Sequence, residues 1–104
     1  GAVVLRDRQL LAQDGLVSVS LAINREGAVV AGPEIASRGF VYVKENEPLL
    51  ETMKAAILEA LARRDPSAPA DREALGALVR TTVRHFINQR FQRKPVVLPV
   101  ILEV

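Results

Sequence analysis

The run from Val96 to Val104 constrains this chain more than any other part of it. Lys94-Pro95 leads into Val96-Val97-Leu98-Pro99-Val100-Ile101-Leu102-Glu103-Val104, apolar and largely β-branched almost without a break. A loose tail is polar and frayed. This run reads instead as a strand buried on both faces, with Val96, Leu98, Val100 and Leu102 pointing one way and Val97 and Ile101 the other. A small domain covers one face of its sheet with its own helices, and the second face then needs another surface. The run therefore points to an interaction or assembly module. Pro99 has no N–H to give to a ladder, so it predicts an edge strand or one that pairs on one side only.

At 104 residues the chain makes one domain. Hydrophobic residues at 49% and charged residues at 25% exclude a disordered tail. No apolar run approaches the roughly 18 residues that span a bilayer, so no membrane partner is expected. The absence of cysteine removes disulfides and thiolate metal sites and suits a cytoplasmic protein. Gly1 to Asp7 shows neither an initiator methionine nor a signal layout, and the chain is expected to be a piece of something larger. The formal charge is only +2. Its distribution is uneven, with Arg63, Arg64, Arg72, Arg80, Arg84, Arg90, Arg93 and Lys94 all in the later half. Such asymmetry is compatible with weak attraction to phosphate, but a charge run more commonly marks solvated helix faces and helix C-termini.

Val4 to Gln13 suits a short helix, closed by Asp14-Gly15. From Leu16 to Ile23 the chain alternates, with Val17, Val19, Leu21 and Ile23 on one face and Ser18, Ser20 and Ala22 on the other, which predicts a strand. Asn24 to Gly27 is a turn and Ala28 to Ala31 a short returning strand, stopped by Gly32-Pro33. The following segment to Lys44 is either an extension of that strand or an ordered connection. Asn46 is a plausible N-cap with Pro48 in the first turn. Leu49, Leu50, Met53, Ala56, Ile57, Ala60 and Leu61 then recur at helical spacing. Asp71 caps a second helix with the stripe Leu75, Leu78, Val79, Thr82, Phe86 and Ile87, and Lys94-Pro95 ends it. The elements predict an α/β two-layer sandwich: a three-stranded sheet, two long antiparallel helices on one face and a short N-terminal helix.

Chemistry is sparse. His85 is the one histidine, and no HxxxH or HxHxDH cluster, GxGxxG or Walker A loop occurs. Glu45, Glu47, Glu51 and Glu59 are spread around the first long helix rather than paired. Ser37-Arg38-Gly39-Phe40 is the most unusual local constellation: Arg38 can hold a phosphate or carboxylate in a two-pronged contact, or bond local carbonyls in a structural turn. Four aromatic residues are too few for a base-stacking platform. No residue here is a candidate catalytic group or metal ligand, and no cofactor is expected in this fragment.

Three blocks carry a family resemblance. Val4-Leu5-Arg6-Asp7-Arg8 through Asp14-Gly15-Leu16-Val17 resembles the opening of the C-terminal domain of bacterial ribonuclease J. Gly32-Pro33-Glu34-Ile35-Ala36-Ser37-Arg38-Gly39-Phe40-Val41-Tyr42-Val43 is similar to its central stretch, and Arg93-Lys94-Pro95 through Val104 to its terminus. The blocks keep the same order and spacing, and together they span nearly the whole chain.

The resemblance implies a parent with a metallo-β-lactamase and β-CASP catalytic core, a 5′-to-3′ exoribonuclease and endoribonuclease of RNA maturation and decay. Two divalent metal ions, zinc by the family's habit, would lie in that core and not here. Residues 1–15 would then be the segment arriving from the core and 16–104 the C-terminal α/β domain. The leading expectation is a non-catalytic domain that supports oligomer assembly and full activity, through self-association as a dimer or tetramer or by docking on the core. Its expected interface is Val97 and Ile101, which have no evident intradomain cover, together with the edge-marking Pro99, and Ser18 and Ser20 admitting a neighbour closely. The competing expectation is an accessory RNA-binding module that guides substrate through Arg38, Arg80, Arg84, Arg90, Arg93 and Lys94. Proteins of an RNA-decay complex are further partners the resemblance implies.

Overall fold

A computed structural model describes residues 14–39, 47–65, 67–68 and 71–104. Three strands, β1 (Leu16–Ile23), β2 (Val29–Arg38) and β3 (Val96–Glu103), form one sheet in the order β2-β1-β3. Two helices, α1 (Glu47–Arg63) and α2 (Arg72–Phe91), pack on one face of it. This is the expected two-layer sandwich. The helix expected over Val4 to Gln13 and the cap at Asn46 lie outside the described residues, as does nearly all of the 1–15 segment; Asp14 itself is helical.

β1 alternates as its sequence requires, with Val17, Val19, Leu21 and Ile23 buried in the core. The turn into β2 is held by Asn24, whose Oδ1 accepts the N–H groups of Glu26 and Ala28 at 3.0 Å each. β2 does not stop at Gly32-Pro33. It runs antiparallel to β1 as far as Arg38, which resolves the start of the next segment as a strand extension. The pairing jumps from Ser20↔Glu34 to Ala22↔Ala31, so the extra residue of Gly32-Pro33 is accommodated as a bulge rather than a break. Gly32 makes this possible. Its φ is +84°, and a Cβ there would lie 2.7 Å from the Ser20 carbonyl oxygen.

α1 buries Leu49, Met53, Ile57 and Leu61, and α2 buries Leu75, Gly76, Val79, Val83 and Ile87. The α2 stripe is rotated from the expected one. Val83 takes the core position, Leu78 and Phe86 pack at its margin, and Thr82 turns its hydroxyl to the Leu78 carbonyl at 2.8 Å. Asp71 caps α2 as expected, its Oδ1 accepting the Ala74 N–H at 2.7 Å. Gln92, at φ 54° and ψ 40°, closes the helix with its N–H on the Asn88 carbonyl. Between the helices, Asp65 Oδ1 accepts the N–H (2.9 Å) and hydroxyl (2.8 Å) of Ser67, which holds the Asp65 carboxyl below its ordinary range.

β3 lies beside β1, parallel to it, from Leu16↔Val96 to Ile23↔Glu103. That register corrects which face of β3 is free. Val97 sits beside Val17 and Ile101 beside Leu21, so both point under the helices and are only 3% and 7% exposed. Leu98, Val100 and Leu102 instead lie beside Ser18, Ser20 and Ala22, on the face opposite α1 and α2. They are 51%, 37% and 56% exposed. The sequence alone could not distinguish these sides, because β3 is apolar on both; the partner strand decides.

Candidate functional site

The residue blocks that stand far apart in sequence meet at one corner of the sheet. Asp14 accepts the backbone N–H of Lys94 through Oδ2 at 2.8 Å, and its Oδ1 lies 3.8 Å from the Arg93 guanidinium. The next carbonyl, Gly15, accepts the Val96 N–H at 2.9 Å and starts the β1–β3 ladder. Gly15 has φ +83°, and a Cβ there would lie 2.5 Å from the Arg38 carbonyl oxygen and 2.6 Å from the Gly39 carbonyl carbon. The Asp14-Gly15, Ser37-Arg38-Gly39 and Arg93-Lys94-Pro95 segments thus lock the origins of β1 and β3 to the end of β2. The sequence context of Asp14 suggests only a helix end, since nothing local reveals a partner 80 residues away.

Two surfaces spread from this corner. One is the uncovered sheet face, ordered in rows across β2, β1 and β3: Ala36–Ser18–Leu98, Glu34–Ser20–Val100 and Ala31–Ala22–Leu102. Large apolar side chains stand on β3, and small ones fill the centre. Ser18 and Ser20 therefore share a surface with Leu98 and Val100, not with Val97 and Ile101. β3 is also an edge strand. Val96 and Val104 direct their N–H groups at Gly15 and Ile23, so alternation turns the backbone N–H positions of Val97, Pro99, Ile101 and Glu103 outward. Pro99 stands at an outward position, where no ladder bond is lost, as its chemistry predicts.

The second surface is cationic. Thr81, Arg84, His85, Asn88, Lys94, Pro95 and Val96 line an open groove of about 590 Å³ between α2 and the start of β3. Among the described residues no carboxylate lines it, though Asp14 accepts the backbone N–H of Lys94. Of the six cations singled out from sequence, only Arg84 and Lys94 meet there. Arg80 lies over a mixed groove with Asp71, Glu73 and Glu103. Arg90 stacks on the Phe86 ring at 4.5 Å, on the side towards α1. Arg93 faces Asp14, and Arg38 is paired in register with Leu16 on the uncovered sheet face, away from α2. His85 and Asn88 escape a charge-based search, because neither carries a formal charge; the helical spacing of 81, 84, 85 and 88 is the signal that places them on one side.

Among the described residues no group of three or more His, Cys, Asp or Glu side chains could hold a metal ion. The donor set therefore does not fit a two-metal centre, whose ions each need several such ligands. Among the same residues no helix is long and apolar enough to cross a membrane.

Residues 3–104 match the profile of the family described as the ribonuclease J C-terminal domain. The chain is 34% identical over 105 residues to ribonuclease J2 of Bacillus subtilis, and 33% identical over 105 residues to ribonuclease J 2 of Staphylococcus saprophyticus and of Staphylococcus aureus. Each match covers 100% of this chain and 19% of the relative, so the chain spans about a fifth of the length of these curated proteins. A match over nearly every residue, on a fold whose corner is built from the three blocks that carry the resemblance, identifies the chain as a member of the ribonuclease J C-terminal domain family.

Proposed function

We propose that this domain is a non-catalytic assembly module of a cytoplasmic ribonuclease J-like enzyme, supporting the oligomer and thereby the full activity of its parent. RNA hydrolysis, and the two metal ions it would need, belong in this reading to a metallo-β-lactamase/β-CASP core elsewhere in the parent. The observation that carries the reading is the uncovered sheet face. Leu98, Val100 and Leu102 form an exposed apolar row on an edge strand, backed by Ser18, Ser20 and Ala22, which let a neighbouring surface approach closely. Exposed apolar patches and open strand edges are hazards unless something covers them. The partner is a second copy of the domain or the parent's own core.

Sedimentation of the full-length parent carrying Leu98→Lys and Leu102→Lys tests this. The expected result is a shift to smaller assemblies with the domain still folded, because both side chains leave the core untouched. An unchanged distribution of assemblies in a folded double variant would reject the assembly role of this face.

A further inference from the structure

The uncovered sheet face leaves the cationic groove unexplained. Its lining is made of donors: the Arg84 guanidinium, the Lys94 ammonium, the His85 imidazole, the Asn88 amide and the Thr81 hydroxyl. Other cations of the domain have partners among the described residues: Arg63 pairs with Glu59, Arg72 with Glu103, Arg93 with Asp14 and Lys54 with Glu51. Arg84 and Lys94 have no such ion pair among those residues, nor do Arg25, Arg38, Arg64, Arg80 and Arg90; what sets Arg84 and Lys94 apart is that they share one groove. The left-handed Gln92 cap and buried Pro95 turn the chain from α2 into β3 and so bring Lys94 to the groove that Arg84 lines. Arg84 and Lys94 line the same groove, and an anion bound there is attracted by both.

We propose that this groove between α2 and the start of β3 binds the phosphodiester backbone of a single-stranded nucleic acid. The groove, about 590 Å³ and open to solvent, leaves room for an extended strand to lie along it. An acidic protein segment fits less well. Its lasting affinity would need an exposed apolar or aromatic anchor point, and among the described residues the apolar lining is only Pro95, which is buried, and half-buried Val96. A phosphodiester needs donors and charge, which the groove supplies. Among the described residues no aromatic ring lines it for base stacking, so binding should be indifferent to base sequence.

The test is fluorescence anisotropy of the 104-residue chain with a labelled oligouridine RNA of about 20 nucleotides, over about 50 to 200 mM salt. The double variant Arg84→Gln/Lys94→Gln should bind about tenfold more weakly at the lowest salt. Its log–log salt slope should be shallower by about 1.4, at about 0.7 for each single-strand phosphate contact. Arg63→Gln, at the far end of α1, should leave affinity and slope unchanged. Asn88→Asp adds a negative charge at an exposed lining position and should weaken binding in a second, independent variant. Both are checked for folding by far-UV circular dichroism. Equal affinity for DNA of the same length supports backbone readout, and a preference for RNA with the same mutational loss supports it with a 2′-hydroxyl contact. Absence of binding by the parent chain at low salt would overturn the proposal, as would an unchanged slope in the folded double variant. Tighter binding of polyglutamate than of RNA, lost in the same variant, would assign the groove to an acidic protein instead. None of these outcomes depends on the assembly role of the sheet face.

Discussion

Gly76 lies in the second turn of α2 over β3, where a Cβ would meet Pro99 Cγ at 3.4 Å and Cβ at 3.7 Å. Those are ordinary packing distances, so an alanine fits and adds helix propensity. Gly76→Ala should stabilise the domain by about 0.5–1 kcal/mol, read as a rise in thermal midpoint. Gly32 behaves oppositely. Its φ is positive, and the Ser20 carbonyl oxygen stands 2.7 Å from where a methyl group would sit, which leaves no room. Gly32→Ala should cost about 2 kcal/mol or more in denaturant unfolding. These two glycines look alike in sequence. One is a turn former by its Gly-Pro context, and that context wrongly predicts a strand end, because a bulge and a stop use the same residue types.

The strands and helices differ in how far their sequences reveal them. β1 has one apolar and one small-residue face, so its alternation predicts both its existence and its orientation. The helices are equally plain, and only the exact centre of the α2 stripe shifts, from Thr82 to Val83. β3 is the hard case. Apolar side chains occupy both of its faces, and only pairing Val97 with Val17 and Ile101 with Leu21 shows which are core. Replacing Val97 and Ile101 with lysine should therefore unfold the domain, since each would place a charge under the helices. Leu98→Lys/Leu102→Lys, two residues of the same strand on its other side, should leave the circular dichroism spectrum and unfolding midpoint nearly unchanged. The candidate groove is only partly legible for a related reason: Arg84 and Lys94 stand out by charge, but their meeting depends on the turn at Gln92 to Pro95, while Arg38 is sent to the opposite side of the sheet.

For the molecule as a whole, the scattered donor set makes a clear expectation. The purified chain supplied with Mn²⁺, Mg²⁺ or Zn²⁺ should not hydrolyse RNA; metal-dependent cleavage abolished by changing His85 would refute this. The parallel pairing of β1 with β3 has a consequence for how the domain reaches this state. The β1–β2 hairpin closes through a short turn at Asn24, and the two helices form from local contacts, but Asp14 and Lys94 must find each other across 80 residues of chain. Contacts so distant in sequence are entropically late and slow. Until they form, the central strand has one bare edge and the helices lack Val97 and Ile101 beneath them. Chevron kinetics should then divide the sheet in time: substitutions in the hairpin core, such as Val19→Ala, should mainly slow refolding, whereas Ile101→Val should mainly accelerate unfolding. The strand that presents the exposed apolar row is, on this view, the last to be fastened and the first to come loose.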